Sequence, residues 1–359
     1  MHCDTRRDQW PLQRITVLIK FAAIGLDHRH IYEQVGRLLE LGCECVGYWT
    51  DGEPQPLEGF TNRYPQLPRV EDADVLFEDD SIDLIVTAAI PSDRANIAIR
   101  AMQCGKDVMT DKPGCTSMAD LQRIKEASTK YKRIWSVNYS ERFEVPCVQR
   151  AAELVAEGRI GRVVQTLGVG PHRLNKVTRP EWFFNSTHYG GILIDIASHQ
   201  IDQYLYFTGS VDATIASACV ANHANKETPD LQDFGEIVLR NEHSHGYIRV
   251  DWYTPDGLPT WGDGRLMLLG TEGYIELRKY VDIGGKEGTN HLFITDNNGV
   301  ERMDCADQPL PYYANLVDDI MNRTETAMPQ DHCFKVMELA IEAQNIALAN
   351  PHLENTGNA

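Results

Sequence analysis

The chain has no C-x-x-C pair, no apolar run long enough to span a bilayer and no internal repeat. Its nine cysteines, an odd number, lie scattered through 359 residues. That pattern excludes a small disulfide scaffold and suits a reducing compartment. Cys43 and Cys45 alternate with Glu44, so both thiols take one face of a strand. No second ligand cluster stands beside them, and they read as buried thiols rather than a metal site. Positive charge is also scarce: 34 Lys and Arg face 52 Asp and Glu, a net charge of −18. This balance argues against the basic face of a nucleic-acid binder and against docking on an anionic membrane. The early apolar stretch Ile15 to Gly25 is short, contains Lys20 and lacks a small-residue cleavage pattern. A cytoplasmic protein is expected, with neither nucleic acid nor membrane as a partner.

What the chain does have is the composition of a globular protein, 42% hydrophobic and 24% charged, and the length for two cores. Residues 1–14 are polar and mixed and read as a loose extension. Ile15 to Ile24 reads as a buried parallel strand, followed by Gly25-Leu26-Asp27-His28-Arg29-His30. Ile31, Val35, Leu38 and Leu39 have helical spacing, stopped by Gly42, and Cys45 to Trp49 is a second strand ending at Thr50-Asp51. Strand, glycine turn, helix, strand, acid is the layout of a dinucleotide-binding unit. The glycine signature is incomplete, because Asp27 and His30 stand where G-x-G-x-x-G needs its second and third glycines. Asp27 is a candidate helix cap, and its carboxylate would repel a pyrophosphate. Asp51 can accept hydrogen bonds from an adenosine ribose, which favours NAD over NADP, or be a solvated loop acid.

Strands at Asp83 to Ile90, Asp107 to Thr110 and Ile134 to Asn138 alternate with helices after Pro91 and after the capping box Ser117 to Asp120. A doubly wound parallel sheet over 15–141 follows, with its ligand crevice at the carboxyl ends of the strands. Those ends carry Gly25, Leu26, Asp27, His28, Asp51, Ala89, Pro91, Asp111, Lys112 and Asn138 as cofactor-binding candidates. From residue 142 the pattern changes. After a helix from Cys147 to Glu157 come strands at Arg162 to Val169 and Asp212 to Ala221, then three hairpins between Glu236 and Met303, then helices at Tyr312 to Asn322 and His332 to Ala349. Strands in runs indicate an α+β domain over 142–359 with a large, mostly antiparallel open sheet.

The stretch that concentrates polar chemistry is Gly190-Gly191-Ile192-Leu193-Ile194-Asp195-Ile196-Ala197-Ser198-His199-Gln200-Ile201-Asp202. On one helix, Asp195 and His199 share a face, and Asp202 can join it. A carboxylate beside an imidazole fixes one ring tautomer and favours its protonation. The same residues also fit buried polar groups that satisfy each other. Upstream, Lys112 lies between a carboxylate and a proline at a strand end, where its charge could orient a substrate hydroxyl.

Together these residues resemble the Gfo/Idh/MocA oxidoreductases, the glucose–fructose oxidoreductase and inositol dehydrogenase family. Asp111-Lys112-Pro113 is similar to its E-K-P, and Gly190-Gly191 with Asp195, His199 and Asp202 to its G-G-x-x-x-D-x-x-x-H-x-x-D. Gly105-Lys106, Arg142-Phe143 and Gly158-Arg159-Ile160-Gly161 agree more weakly. The resemblance spans about Ile15 to Ala349. Asp111 stands for the family's glutamate, and Pro91-Ser92-Asp93-Arg94-Ala95 for its frequent P-N-x-x-H. The resemblance implies an NAD(P)-dependent oxidoreductase acting on a hydroxyl of a sugar, sugar acid or cyclitol. Lys112 would polarise that hydroxyl, Asp195 would position the substrate and His199 would be the general acid/base. It also implies a homo-oligomer built through the C-terminal sheet. Two alternatives are a redox-assisted glycosidase or lyase that recycles its NAD, and a non-catalytic dinucleotide-binding regulator. Two loops, His172 to Trp182 and Thr254 to Arg265, interleave polar groups with tryptophan, which suits a sugar. His172 and Trp182 are the substrate-binding candidates among them, with Lys112, Asp195 and His199. A metal shared by His188 and His199 has no third ligand at a suitable spacing, so no metal is expected.

Overall fold

The structure, a computed structural model, describes residues 19–350. The extension 1–14 and the first residues of the expected opening strand lie outside the described residues, as do 351–359. The first domain alternates strand and helix: β1 (Lys20–Ile24), α1 (Ile31–Glu40), β2 (Glu44–Trp49), α2 (Leu57–Arg63), α3 (Asp74–Glu78), β3 (Leu84–Thr87), α4 (Arg94–Gln103), β4 (Asp107–Asp111), α5 (Met118–Tyr131) and β5 (Trp135–Asn138). All five strands are parallel, in the order β2-β1-β3-β4-β5. Every residue of β3, β4 and β5 is buried, as a sheet covered on both faces requires. Helix α1 buries Ile31, Val35 and Leu38, the apolar stripe of the sequence. Ser117 caps α5 by accepting from the Asp120 N–H at 3.1 Å. The chain order reverses between β1 and β3, and that switch point opens a crevice between the loops that follow them.

Then come α6 (Ser140–Phe143), α7 (Pro146–Ala156), β6 (Val163–Pro171), α8 (Ser186–Tyr189), α9 (Ile192–Asp195) and α10 (Ala197–Thr208). They are followed by β7 (Thr214–Ala221), β8 (Phe234–Arg240), β9 (His245–Asp251), β10 (Arg265–Gly270), β11 (Tyr274–Arg278), β12 (His291–Asp296), β13 (Gly299–Met303), α11 (Tyr312–Asn322) and α12 (Gln330–Ala349). The eight strands form one sheet, β13-β12-β11-β10-β6-β9-β8-β7. The three hairpins of the sequence pair as expected, β8 with β9, β10 with β11 and β12 with β13. The pair β6–β9 is parallel, the exception in an otherwise antiparallel sheet.

Helices α7, α9, α10 and α12 pack on one face of this sheet. They cover Ile237, Leu239, Ile248, Val250, Leu266, Leu268, Ile275 and Leu277. The alternate residues Val238, Met267, Leu269 and Tyr274 are exposed on the other face. Helix α12 ties the domains together, touching α5 and β5 on one side and β7 on the other. The Gln330 amide pairs with both backbone groups of Trp135, accepting at 2.9 Å and donating at 3.2 Å, so a side chain occupies the open edge of the parallel sheet.

Candidate functional site

The double glycine sets the entry to α9. Gly191 has φ of +101°, and a Cβ there would fall 2.4 Å from the Gln344 side chain. The run that follows is not one helix. Helix α9 ends at Asp195, Ile196 bridges at φ −101° and ψ −48°, and α10 starts at Ala197. The expected pairings also change. The Asp195 carboxylate accepts from Lys112 Nζ at 2.9 Å, not from His199. Asp202 does not join that group. It is fully buried and receives Arg142 through Nε at 2.6 Å and a terminal nitrogen at 2.7 Å, and His332 Nε2 at 2.8 Å. The physical reason is that a cation claims each carboxylate, Lys112 from the first domain for Asp195 and Arg142 for Asp202.

A cavity of about 380 Å³ lies at the carboxyl ends of the parallel strands, walled on the far side by the second domain. His28, Pro91 and Lys112 line it from the first domain, and His172, Trp182, Asp195 and His199 from the second. Trp252, Trp261 and Tyr280 add aromatic walls, with the His172 ring 4.5 Å from that of Trp261 and 5.4 Å from that of Trp252. Apolar walls with a few convergent polar groups are the usual make-up of a small-molecule site. Burial drives the pKa of His199 down to about 3 against the pull of Glu141, and Lys112 adds to the fall. His199 is therefore neutral at pH 7, and its Nδ1 has no hydrogen-bond partner among the described residues. Burial likewise lowers His172 to about 4, again opposed by Glu141. Burial works against the Asp195 carboxylate too, but the Lys112 ammonium outweighs it and holds the pKa below the usual range.

Glu141 was not among the residues expected from sequence. It is 2% exposed, and its Oε2 accepts from Lys279 Nζ at 2.6 Å and Gln200 Nε2 at 3.1 Å, while Oε1 has no partner. The fully buried Lys279 ammonium overrides the burial penalty and brings the Glu141 pKa to about 2. The signal was present: Glu141 follows the carboxyl end of β5, where crevice residues of such sheets lie.

The loop after β1 holds the next surprise. Gly25 has φ of +79°, and a Cβ there would sit 2.4 Å from the Ala89 Cβ, so the first glycine of the turn is sterically required. Leu26 N–H donates to Thr50 Oγ1 at 3.2 Å, tying the turn to the end of β2. Asp27 does not cap α1, whose N-cap position is His30 and carries no side-chain cap. Burial instead pushes the Asp27 pKa up to about 6, against the nearby Arg94. The buried Arg94, also absent from the sequence expectations, clamps the next loop. Its guanidinium donates to Ala89 O at 2.7 Å, to Asp111 O and Pro113 O at 2.8 Å, and to Asp111 Oδ2 at 3.2 Å. His30 Nδ1 donates to Asp111 Oδ1 at 2.8 Å, and His28 Nδ1 lies 3.2 Å from Oδ2. Among the described residues, His28, His30 and Asp111 form a group whose ligand atoms converge closely enough for a metal ion. The Arg94 cation on the same carboxylate opposes one.

The other expected cofactor contacts are distributed. Asp27 and His28 line a second hollow of about 140 Å³ that continues the cavity outward, with Gln55, Asn175, Thr178 and Arg179. Asp51 is exposed beyond the end of β2. Asp111 is fully buried behind His28, His30 and Arg94. Asn138 is committed elsewhere, donating to Glu144 Oε1 at 2.9 Å and to the Tyr313 hydroxyl at 2.8 Å. In the two wall loops, Lys176 bonds Glu227 and Thr228, and Arg265 bonds Asp263 at 2.6 Å. None of Lys176, Asp263 and Arg265 lines the cavity.

Residues 25–139 match a family model described as "Oxidoreductase family, NAD-binding Rossmann fold", and residues 148–276 one described as "GFO/IDH/MocA C-terminal domain". A crystal structure of a candidate oxidoreductase from Erwinia carotovora atroseptica SCRI1043 is 42% identical, with a TM-score of 0.89 over 92% of this chain and 98% of that one. Oxidoreductase P35 of Formosa agariphila is 27% identical over 51% of this chain and 57% of its own length. The scyllo-inositol 2-dehydrogenase (NAD(+)) of Bacillus subtilis (strain 168) is 27% identical over 70% of this chain and 72% of its own. With both halves matched and the two-sheet architecture in place, this chain belongs to the Gfo/Idh/MocA oxidoreductase family.

Proposed function

We propose that this chain is an NAD(P)-dependent oxidoreductase that acts on a hydroxyl carbon of a sugar, sugar acid or cyclitol. The observation that carries the reading is the buried Lys112–Asp195 contact at 2.9 Å, made across the crevice within the cavity that also holds neutral His199. The scyllo-inositol dehydrogenase among the relatives supports a polyol substrate.

The crevice fits a dinucleotide at its first glycine, where the chain passes too close to Ala89 for any side chain. Gly25, Leu26 and His28 would hold the diphosphate, Asp51 the adenosine ribose, and Pro91 and Lys112 the nicotinamide side, with the buried Asp111 bracing His28 and Arg94 behind them. A carboxylate at the end of β2, free to accept from ribose hydroxyls, favours NAD. The nicotinamide supplies the hydride acceptor or donor. The proton is the protein's part. Lys112 Nζ has donors to spare beyond Asp195 and can hold the substrate oxygen. His199, neutral at pH 7, accepts the hydroxyl proton as the carbonyl forms. Glu141 is the carboxylate that acts most strongly on His199, and its charge stabilises the imidazolium so produced.

The test is a fluorescence titration of cofactor-stripped protein with NAD, NADH, NADP and NADPH, then a polyol screen with the pair that binds. Saturable binding of one pair and NADH or NADPH formation with a polyol are expected. No binding of any of the four would end the reading. We also propose that a second copy of this chain covers the open face of the large sheet, where Val238, Met267, Leu269 and Tyr274 are exposed. Sedimentation at micromolar concentration should show a dimer or larger, and a monomer would refute it.

A further inference from the structure

The incomplete glycine turn poses a charge problem. A carboxylate at Asp27 stands where the backbone should meet a doubly charged pyrophosphate, and the protein as a whole is strongly acidic. Dinucleotide binding then needs cations that the usual turn does not supply. The crevice holds five arginine or lysine side chains: Arg29, Arg94, Lys112, Arg173 and Arg179. Three are spoken for. Arg94 is committed to Asp111 and three carbonyls, Lys112 to Asp195, and Arg173 to the carbonyls of Pro255 and Leu258.

The other two have no carboxylate partner within salt-bridge distance among the described residues. Arg29 is exposed in the β1–α1 loop itself, two residues after Asp27, and its guanidinium makes no hydrogen bond among the described residues. Arg179 belongs to the second domain. Its Nε donates to Leu174 O at 2.9 Å and one terminal nitrogen reaches Arg173 O at 3.3 Å, leaving the other without a partner among the described residues. The guanidinium is stacked over Phe183 and Trp252, at 4.5 and 5.0 Å from the ring centroids, which fixes its direction. Arg29 and Arg179 both line the cavity and the outer hollow, so they meet where the two join. They are close enough for the charge of Arg29 to weaken that of Arg179. Gln55 Nε2 donates to Thr178 O at 2.9 Å beside them, joining the two domains over the same channel.

Two guanidinium groups that line one channel from separate domains, neither with a carboxylate at salt-bridge distance among the described residues, make a site that favours an anion. We infer that Arg29 and Arg179, one from each domain, grip the dinucleotide's pyrophosphate in place of the missing glycines. The inference rests on the dinucleotide reading above. It assigns the charge of Asp27 as the element the pair offsets.

The test is the dissociation constant for NADH, or NADPH if that pair binds, read by fluorescence at low and high salt. Arg29→Gln is the decisive variant, since an exposed side chain with no bonds leaves the fold intact. It and Arg179→Gln should each weaken binding about tenfold, as loss of a charge-assisted hydrogen bond does. Arg179→Lys, which keeps the charge and much of the stack, should restore part of the loss. Asp27→Asn should tighten binding, and salt should weaken the wild type more than either arginine variant. Reduced nicotinamide riboside, which lacks phosphate, should bind wild type and variants alike. If the wild type binds and both glutamine variants match it within twofold, the arginine grip is wrong and the dinucleotide reading stands. If the wild type binds no dinucleotide, the dinucleotide reading itself fails.

Discussion

Replacing His199 by Ala is expected to lower turnover by ~10²- to 10⁴-fold, the range that positioned proton transfer contributes. NADH or NADPH should still bind within about twofold of the wild type, because His199 stands on α10, in the second domain, and not in the loops after β1 or β3. Lys112→Ala should cost turnover on the same scale, and it also leaves the buried Asp195 carboxylate without its cation. For that reason Lys112→Ala should lower the thermal midpoint as well, while His199→Ala should not. The pH dependence separates the roles further. An ordinary histidine titrates near 6.5, but burial takes His199 to about 3. Its folded pKa lies below the unfolded one, so the neutral base persists through the whole range above pH 4. The oxidation rate should then show no inflection near pH 6.5 that His199→Ala removes. Such an inflection would mean that His199 sits in a wetter or more acidic setting than the structure has. Unchanged turnover in either variant would take that residue out of the mechanism.

The fold was legible because its elements are written in local patterns. The stripe Ile31, Val35, Leu38 and the stop at Gly42 gave α1, and the Ser117 box gave the start of α5. The three hairpins followed from short turns between alternating runs. The parallel pairing of β6 with β9 was not legible, since eighty residues or so separate strands that share no turn. The site was legible as a set of residues and not as a set of partners. Lys112, Asp195, His199, His172 and Trp182 do share one cavity. That Asp195 would choose Lys112 over His199 depends on two domains meeting, which no spacing encodes. Asp27 as a helix cap failed for a local reason: an extra turn from His28 to Ile31 precedes α1, so the helix starts three residues beyond its reach. Glu141 escaped notice because its partner Lys279 lies in the other half of the chain.

The second large effect is on stability, and it concerns the last residue of the family-like motif. Asp202 looked like a third member of a proton-transfer face, yet it is fully buried against Arg142 and His332. Arg142 is itself buried, stacked 4.2 Å over Phe143 and 4.5 Å over Tyr206. Asp202→Ala would leave that guanidinium uncompensated in the interior, a loss of about 3–5 kcal/mol. The thermal midpoint should fall by on the order of 10 °C, measured at one scan rate. Asp202→Asn, which keeps one acceptor and the volume, should fall less. The pair joins α6, at the junction of the two domains, to α10, which carries His199, so its work is to hold the proposed general base in register with the crevice. At a temperature where Asp202→Ala is still folded, turnover per folded molecule should stay within about tenfold of the wild type, far above His199→Ala. If Asp202→Ala instead keeps the wild-type midpoint and loses activity as His199→Ala does, Asp202 belongs to the proton path and the structural assignment is wrong. The contrast between the two variants therefore separates a residue proposed to do chemistry from one proposed to hold it in place.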